Sequence, residues 1–149
     1  MLAASTLLAG VALTNEAGAE EVSLGTLAPK KSPWGKVFEA WAKAIDKKTS
    51  GKLVLKWYFN AQQGDEKLMV SKIRSGQLDG AAVTSVGLSA IYKDVLAMQS
   101  PGLFQDWDTL DKVRDKMMPE FQDGMKKNGF VLLGAGDVGL ARTMSKGRA

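Results

Sequence analysis

The order of hydrophobic patterns between residues 21 and 84 is the feature that most constrains the fold. Residues 21–27 (EVSLGTL) and 52–59 (KLVLKWYF) alternate with the period of a strand, and residues 78–84 (LDGAAVT) form a short apolar run typical of a strand buried on both faces. Two segments with helical spacing separate them. Strands that alternate with helices in this way are joined by right-handed crossovers and form a parallel sheet. The sequence therefore predicts an α/β fold, with a mostly parallel sheet flanked by helices.

The two helices between these strands have recognisable ends. Ser32 is a suitable N-cap and Pro33 suits the first helical position, while Gly51 is placed to end the same helix in a left-handed conformation. Asp65 is a second N-cap, and the helix that it starts is predicted to stop at residues 75–76. Both connections are long enough to cross over the sheet.

The pattern continues with helices and then strands after the third strand. Residues 86–92 are predicted to form one or two helical turns, Asp106 to cap a third long helix, and Pro119 to restart a fourth. Apolar residues at 130–134 predict another strand, and residues 140–145 a further one.

Composition excludes several classes of function. A chain of 149 residues is long enough for one domain with a core. It contains no cysteine and no histidine, so cysteine-ligated metals, thiolate chemistry and histidine-based triads are not expected, and no metal or other cofactor is predicted. Its 20 basic and 16 acidic residues are interleaved along helical faces, which indicates a solvated surface rather than a nucleic-acid interface.

The N-terminus is typical of a secretory signal peptide. Residues 2–13 are apolar and are followed by Ala-Gly-Ala at 17–19, although the usual basic start is missing. The sequence thus predicts a signal peptide over residues 1–19 and a mature domain over 20–149, which does not span a membrane because the apolar run is too short. The alternative is an N-terminal helix that packs on the core.

Candidate catalytic residues are few, and each has a structural alternative. Asp65 and Glu66 are adjacent carboxylates, but at a helix start they also complement the helix dipole. Residues 134–139 fit G-x-G-x-x-G, yet no convincing helix follows and no acidic ribose partner has room downstream. No catalytic residue is therefore assigned.

Two residues are better candidates for ligand binding. Trp34 follows the loop at the carboxyl end of the first strand, where open parallel sheets bind ligands, although simple packing would also account for it. Arg142 lies in an apolar, glycine-rich stretch, so it must reach solvent or pair with an anion such as a carboxylate. An arginine on the surface of an edge strand remains the alternative.

The order of these motifs resembles the N-terminal half of the DctP-type solute-binding proteins of TRAP (tripartite ATP-independent periplasmic) transporters. The similarity covers Glu21 to Ala149. The segments that carry it are SPWG at 32–35, GKL at 51–53, NAQQG at 60–64, SGQLD at 75–79, SPGLF at 100–104 and the stretch from 132 to 148 with Arg142.

The resemblance implies a periplasmic protein of two α/β domains that closes over a small organic acid and delivers it to TRAP membrane permease subunits. First-domain contacts would come from the loop that starts at Ala28 and ends at Trp34, from Thr84 and Ser85, and from Arg142. The principal carboxylate-binding arginine of the family lies in a Gly-Leu-Lys-x-Arg segment that this sequence does not contain, so the second domain is expected to be missing. Sialic-acid-binding relatives have a glutamate where this chain has Thr84-Ser85, which argues against an amino-sugar acid.

Two other classes of function remain open from the sequence. One is a small α/β enzyme that uses Asp65, Glu66 or Asp137 on a phosphorylated or sugar substrate. The other is a partner-binding half domain with a large exposed apolar face.

Overall fold

The computed structural model describes residues 18–100 and 102–137. The elements are, in chain order, β1 Glu20–Thr26, α1 Pro33–Lys48, β2 Leu53–Tyr58, α2 Glu66–Arg74, β3 Gly80–Ala82, α3 Ser85–Ser89, a 3₁₀ helix Lys93–Gln99 and α4 Trp107–Lys127. The predicted signal peptide over 1–19 lies almost wholly outside the described residues, as do the strand predicted at 140–145 and Arg142. No helix in the described ranges is long and apolar enough to cross a membrane.

The three strands form a parallel sheet in the order β2-β1-β3, as the sequence predicts. β1 pairs with β2 from Glu20↔Leu53 to Gly25↔Tyr58, and with β3 from Leu24↔Gly80 to Thr26↔Ala82. Because the chain moves from β1 to one side and then returns past it to the other, right-handed crossovers place α1 and α2 on opposite faces. The result is a three-layer α/β/α arrangement.

Side chains confirm this division of the two faces. Trp57 of β2 stacks on Phe38 of α1, with ring centroids 4.3 Å apart. Gly25 of β1 faces Met69 of α2 instead, and Met69 is completely buried. The α2 face therefore contains a fully buried methionine, and the α1 face is built from aromatic rings.

A second hydrophobic cluster lies outside the sheet. Val95 of the 3₁₀ helix packs with Phe121 and Met125 of α4, and partly buried residues such as Phe130 and Leu132 pack against them. This cluster joins the C-terminal part of the described chain to the end of α3.

The N-caps predicted from sequence are confirmed. The Ser32 hydroxyl accepts a hydrogen bond from Gly35 N at 3.1 Å, Asp65 accepts from Leu68 N at 2.8 Å, and Asp106 accepts from Thr109 N at 2.8 Å. Each of these caps satisfies a backbone N–H group that the first helical turn leaves without an intrahelical partner.

The prediction of two helices on either side of Pro119 is wrong, because α4 runs without interruption from Trp107 to Lys127. The buried residues Leu110, Phe121 and Met125 continue one helical stripe across the proline. Burial of that stripe offsets the hydrogen bond that an internal proline removes. Pro119 itself lies on the exposed side.

The strand predicted at 130–134 is not part of the sheet in the described structure. Phe130 N donates to Met125 O at 3.0 Å, which closes the end of α4, and the Leu132 carbonyl accepts from Gln122 Nε2 at 3.4 Å. Side chains still alternate as in a strand, with Phe130 and Leu132 packed inward while Val131 and Leu133 are about four-fifths exposed.

β3 is also shorter than the predicted strand over 78–84, and its three residues are only half-buried. At its start, Asp79 accepts hydrogen bonds from Ser23 N and Ser23 Oγ, both at 2.7 Å. At its end, the Thr84 amide donates to the Glu66 carboxylate and not to a neighbouring strand. Side-chain acceptors thus end the ladder at both ends of β3.

Candidate functional site

The candidate site lies at the carboxyl ends of β1 and β3. Thr26 and Ala82 are the last paired residues of these strands, and the chain leaves the sheet in both cases within two residues. Ala28 and Thr84 therefore follow neighbouring strands at the same edge, and Trp34 lies in the first turn of the helix that follows the first loop. This is the edge at which open parallel sheets bind ligands.

The backbone N–H and carbonyl groups of Ala28 each make one hydrogen bond within the protein. Ala28 N donates to the Thr26 hydroxyl at 3.2 Å, and Ala28 O accepts from Asn60 N at 3.1 Å. Thr26, which is buried, also accepts from Ala61 N through its carbonyl at 3.1 Å. These bonds tie the loop after β1 to the loop after β2, so Ala28 offers a ligand its methyl group and one carbonyl lone pair.

The loop between β1 and α1 is pressed against the helix at Gly35. A Cβ at this position would overlap the carbonyl oxygens of Pro29 and Lys30, so the close approach depends on glycine. Trp34 is half-buried beside it, with its ring centroid 5.7 Å from that of Phe38. The tryptophan thus lies partly in the α1 packing layer and partly at the strand-end edge.

Trp34 is also in contact with the C-terminal part of the described chain. Gly136 lies directly against the indole, close enough that a Cβ there would be 2.6 Å from a ring carbon. The next residue, Asp137, accepts a hydrogen bond from Arg114 of α4 at 2.6 Å. The chain segment that leads toward Arg142 is therefore held near the candidate site, while Arg142 itself is outside the described residues.

Arg114 is surrounded by acidic side chains. Besides Asp137, its guanidinium lies 2.8 Å from Asp111 and 3.5 Å from Asp115. Desolvation tends to lower the pKa of Arg114, but the hydrogen bond to Asp137 and the attraction of all three carboxylates raise it above its ordinary value. Arg114 therefore stays charged and serves as the anchor of the 134–137 segment.

Glu66 is the buried carboxylate of the candidate site. It is 5% exposed and accepts hydrogen bonds from Thr84 N at 2.7 Å, Thr84 Oγ at 2.7 Å and Gly87 N at 2.9 Å. Gly87 approaches closely because it has no side chain, since a Cβ there would be 2.7 Å from the Cβ of Val83. Glu66 therefore connects the first turn of α2 to the first turn of α3.

Thr84 and Ser85 differ in what they can offer a ligand. The Thr84 hydroxyl donates to Glu66 and accepts from Val86 N at 3.3 Å, while none of the hydrogen bonds among the described residues uses the Ser85 hydroxyl. The structure thus brings Ala28, Trp34, Thr84 and Ser85 to one edge of the sheet. Their contact with a ligand stays a prediction.

The carboxylates considered for catalysis all have structural partners. Asp65 caps α2, Glu66 accepts three hydrogen bonds, and Asp137 pairs with Arg114. Across residues 18–100 and 102–137, no group of three acidic side chains is arranged to hold a metal ion. Carboxylates with these partners are better suited to hold the structure of a site than to transfer protons as general acids or bases.

Sequence reasoning weighed Glu66 only as a catalytic acid or a helix-dipole partner and missed its buried role. A signal was present, since Glu66 precedes the buried Met69 and Val70 by three and four residues. A residue with that spacing lies on the same helical face as the core. The Arg114–Asp137 pair had no comparable sequence signal.

An open cleft of about 270 Å³ lies elsewhere, along α1 and the outer strand β2. Its polar lining includes the ion pair between Lys30 Nζ and Glu39 Oε1, 3.4 Å apart. The cleft, whose lining also includes Lys43, follows the side of the sheet rather than the ends of β1 and β3. We therefore place the candidate site at the strand ends.

Comparison with known proteins identifies a family whose profile matches most of the chain. The sequence profile of the family described as "Bacterial extracellular solute-binding protein, family 7" matches residues 24–148. A solute-binding protein from Chromohalobacter salexigens is 28% identical over 128 residues, which is 85% of this chain and 38% of that protein. The chain thus spans less than half the length of this relative.

Solved structures show the same fold. A TRAP periplasmic solute-binding protein from Chromohalobacter salexigens with bound D-glucuronate has a TM-score of 0.69 and 26% identity, over 78% of this chain and 38% of that one. A TRAP periplasmic solute-binding protein from Haemophilus influenzae with bound L-gulonate has a TM-score of 0.69 and 23% identity, over 77% and 38% respectively.

Proposed function

Because this chain belongs to the bacterial extracellular solute-binding proteins of family 7, we propose that it forms the first domain of a periplasmic protein that captures a small organic acid for a TRAP-type permease. The structural observation that carries the proposal is the shared edge at the ends of β1 and β3. Ala28, Trp34, Thr84 and Ser85 lie at this edge. The predicted signal peptide over residues 1–19 supports export to the periplasm.

A sugar acid is the kind of ligand that we propose. The two structural relatives described above were solved with D-glucuronate and L-gulonate. Each of these molecules combines one carboxylate with several hydroxyl groups. Arg142 would pair with the carboxylate through its planar guanidinium, and the aromatic face of Trp34 would border the ligand.

The proposal assigns no catalytic residue. The enzyme alternative would need a free carboxylate beside the ligand, and Asp65, Glu66 and Asp137 are each engaged with the protein itself. The chain also spans only 38% of the relatives' length, so the ligand is expected to be enclosed by a second domain in the complete arrangement. Ligand closure between two domains would follow the hinge motion of such proteins.

Binding is tested by thermal unfolding of a version of the protein that includes the proposed second domain, with D-glucuronate, L-gulonate and succinate, and with glucose as the uncharged control. A ligand at one hundred times its Kd stabilises the folded state by about 2.7 kcal/mol, which raises Tm by several degrees. A saturable shift with the acids and none with glucose is expected. Turnover of a substrate, or no shift with any acid, would contradict the proposal.

Arg142→Ala tests the predicted carboxylate contact, and Arg142→Lys is the matched control. Alanine should weaken acid binding at least tenfold, since a charged hydrogen bond contributes about 1.5–3 kcal/mol. Lysine keeps the charge but lacks the two-pronged geometry, so an intermediate affinity is expected. Equal affinities for all three proteins would remove Arg142 from the site.

A further inference from the structure

The turn at Thr84–Ser85 is held by one side chain from another element. Glu66 of α2 accepts from Thr84 N, Thr84 Oγ and Gly87 N, at 2.7, 2.7 and 2.9 Å. Glu66 is 5% exposed, so the protein shields its side of these bonds from water. Three short bonds from one buried acceptor group to one turn leave that turn little freedom to rotate.

Glu66 also determines which donors remain for a ligand. A threonine hydroxyl has one proton, and the Thr84 proton is directed at Glu66 Oε2. The Thr84 amide proton is directed at Glu66 Oε1, and the hydroxyl oxygen accepts from Val86 N. A ligand at this edge thus finds Thr84 without a free donor, whereas Ser85 has its hydroxyl available within the described structure.

We infer that Glu66 is a positioning residue of the ligand site: it fixes the Thr84–Ser85 turn and takes both Thr84 donors, so that Ser85 presents the hydroxyl group that contacts the ligand. The ligand part of this inference rests on the proposed function. The hold on the turn does not, because it follows from contacts within the chain.

The chemistry of the three bonds requires a carboxylate. All three partners are donors, and an ionised carboxylate is an acceptor at both oxygens. Glutamine would bring an NH₂ group against one of these donors and leave at least one of them without an acceptor. Glu66→Gln therefore keeps the size of the side chain while it releases the turn.

Amide hydrogen exchange of the protein tests the hold on the turn. In Glu66→Gln, the amides of Thr84 and Gly87 should exchange at least tenfold faster than in the unaltered protein, while amides of the β1 ladder such as Leu24 keep their rates. Unchanged protection at Thr84 and Gly87 would overturn the inference. Asp79→Asn is the matched control, because Asp79 accepts the same kinds of bond, from a serine amide and hydroxyl, but at the other end of β3. It should leave the exchange of the Thr84 and Gly87 amides unchanged.

Calorimetric titration with D-glucuronate, in the version that includes the proposed second domain, tests the effect of Glu66 on ligand affinity. Glu66→Gln should weaken binding about tenfold and Asp79→Asn less than twofold, even where the two variants lose the same unfolding free energy. A purely structural role for Glu66 predicts equal affinities at equal stability, and that result would overturn the inference.

Two further variants keep the inference testable if Glu66→Gln does not fold. Ser85→Ala should weaken D-glucuronate binding about tenfold, and Thr84→Val no more than about threefold. The reverse order would show that Thr84 and not Ser85 contacts the ligand, and would overturn the inference. No binding of any acid by the unaltered protein would instead refute the proposed function, and the exchange experiment would still decide whether Glu66 holds the turn.

Discussion

Replacement of Gly35 by alanine tests whether the loop of the candidate site is fixed by its contact with α1. A Cβ at Gly35 would overlap the carbonyl oxygens of Pro29 and Lys30. Backbone atoms cannot rotate away as a side chain does, and Pro29 O also accepts from Ser32 N at 2.9 Å. Overpacking costs about 1–3 kcal/mol, and a clash with backbone atoms lies in the upper part of that range, about 2–3 kcal/mol, whereas alanine gains about 1 kcal/mol over glycine in a helix. We expect a net loss of about 1–2 kcal/mol.

Urea unfolding followed by circular dichroism measures this loss. With a slope of about 2 kcal/mol per molar urea, the midpoint of Gly35→Ala should fall by about 0.5–1 M. Ala44→Gly, at an exposed position of the same helix, is the control and measures the propensity difference alone, about 1 kcal/mol. A midpoint of Gly35→Ala equal to or above that of the unaltered protein would refute the proposed contact between the loop and the helix.

Three more outcomes follow from the structure. Met69→Ala should cost about 2–5 kcal/mol in urea unfolding because Met69 is fully buried, whereas its neighbour Leu68 is 47% exposed and Leu68→Ala should cost less than about 1 kcal/mol. Hydrogen bonds from a serine hydroxyl and a serine amide hold the pKa of Asp79 below its usual value, so the ionised form stabilises the fold. That contribution is complete above the unfolded-state pKa and is lost as pH falls through the folded-state pKa. Asp79→Asn should therefore make Tm fall less steeply as pH drops below about 4. An unchanged slope of Tm against pH would contradict this role of Asp79. Arg114→Ala should speed proteolysis of the segment around Asp137, most clearly at low salt, and equal cleavage rates would show that the ion pair does not anchor it.

Local signals predicted the parts of the fold that depend on neighbouring residues. The caps at Ser32, Asp65 and Asp106 each bind a backbone N–H three residues later, so a short stretch of sequence contains the whole interaction. The alternation of strands with helices likewise predicted the parallel sheet. Its order β2-β1-β3 follows only from the pairing seen in the structure.

The two wrong predictions concern segments whose conformation depends on distant contacts. Pro119 is a helix breaker by local rules, but the buried stripe that includes Phe121 and Met125 carries α4 through it. Residues 130–134 have the composition of a strand, yet Phe130 and Leu132 pack on a helical cluster, and no described strand lies beside them. A short stretch of sequence does not contain the distant residues on which either segment packs.

The sequence predicted which residues share the strand-end edge, but not the hydrogen bonds that they make there. Ala28, Trp34, Thr84 and Ser85 do lie at one edge, as the positions of the strand ends indicate. The sequence could not show that the Thr84 donors are already used, because their acceptor Glu66 is 18 residues away. Arg142, the residue with the clearest chemical expectation, lies outside the described residues.

The aromatic packing between α1 and β2 has a practical consequence for spectroscopy. The rings of Trp41 and Trp57 are 5.9 Å apart, and the Trp57 indole nitrogen is buried without a hydrogen-bond partner in the part of the chain that the structure describes. Packing of α1 on the sheet holds both indoles in a fixed, asymmetric environment, so their near-ultraviolet circular dichroism reports whether α1 is docked. Trp34 lies at the proposed ligand edge, so its emission is expected to change when an acid binds there. Folding and ligand binding should therefore give separate optical signals in a single unlabelled sample.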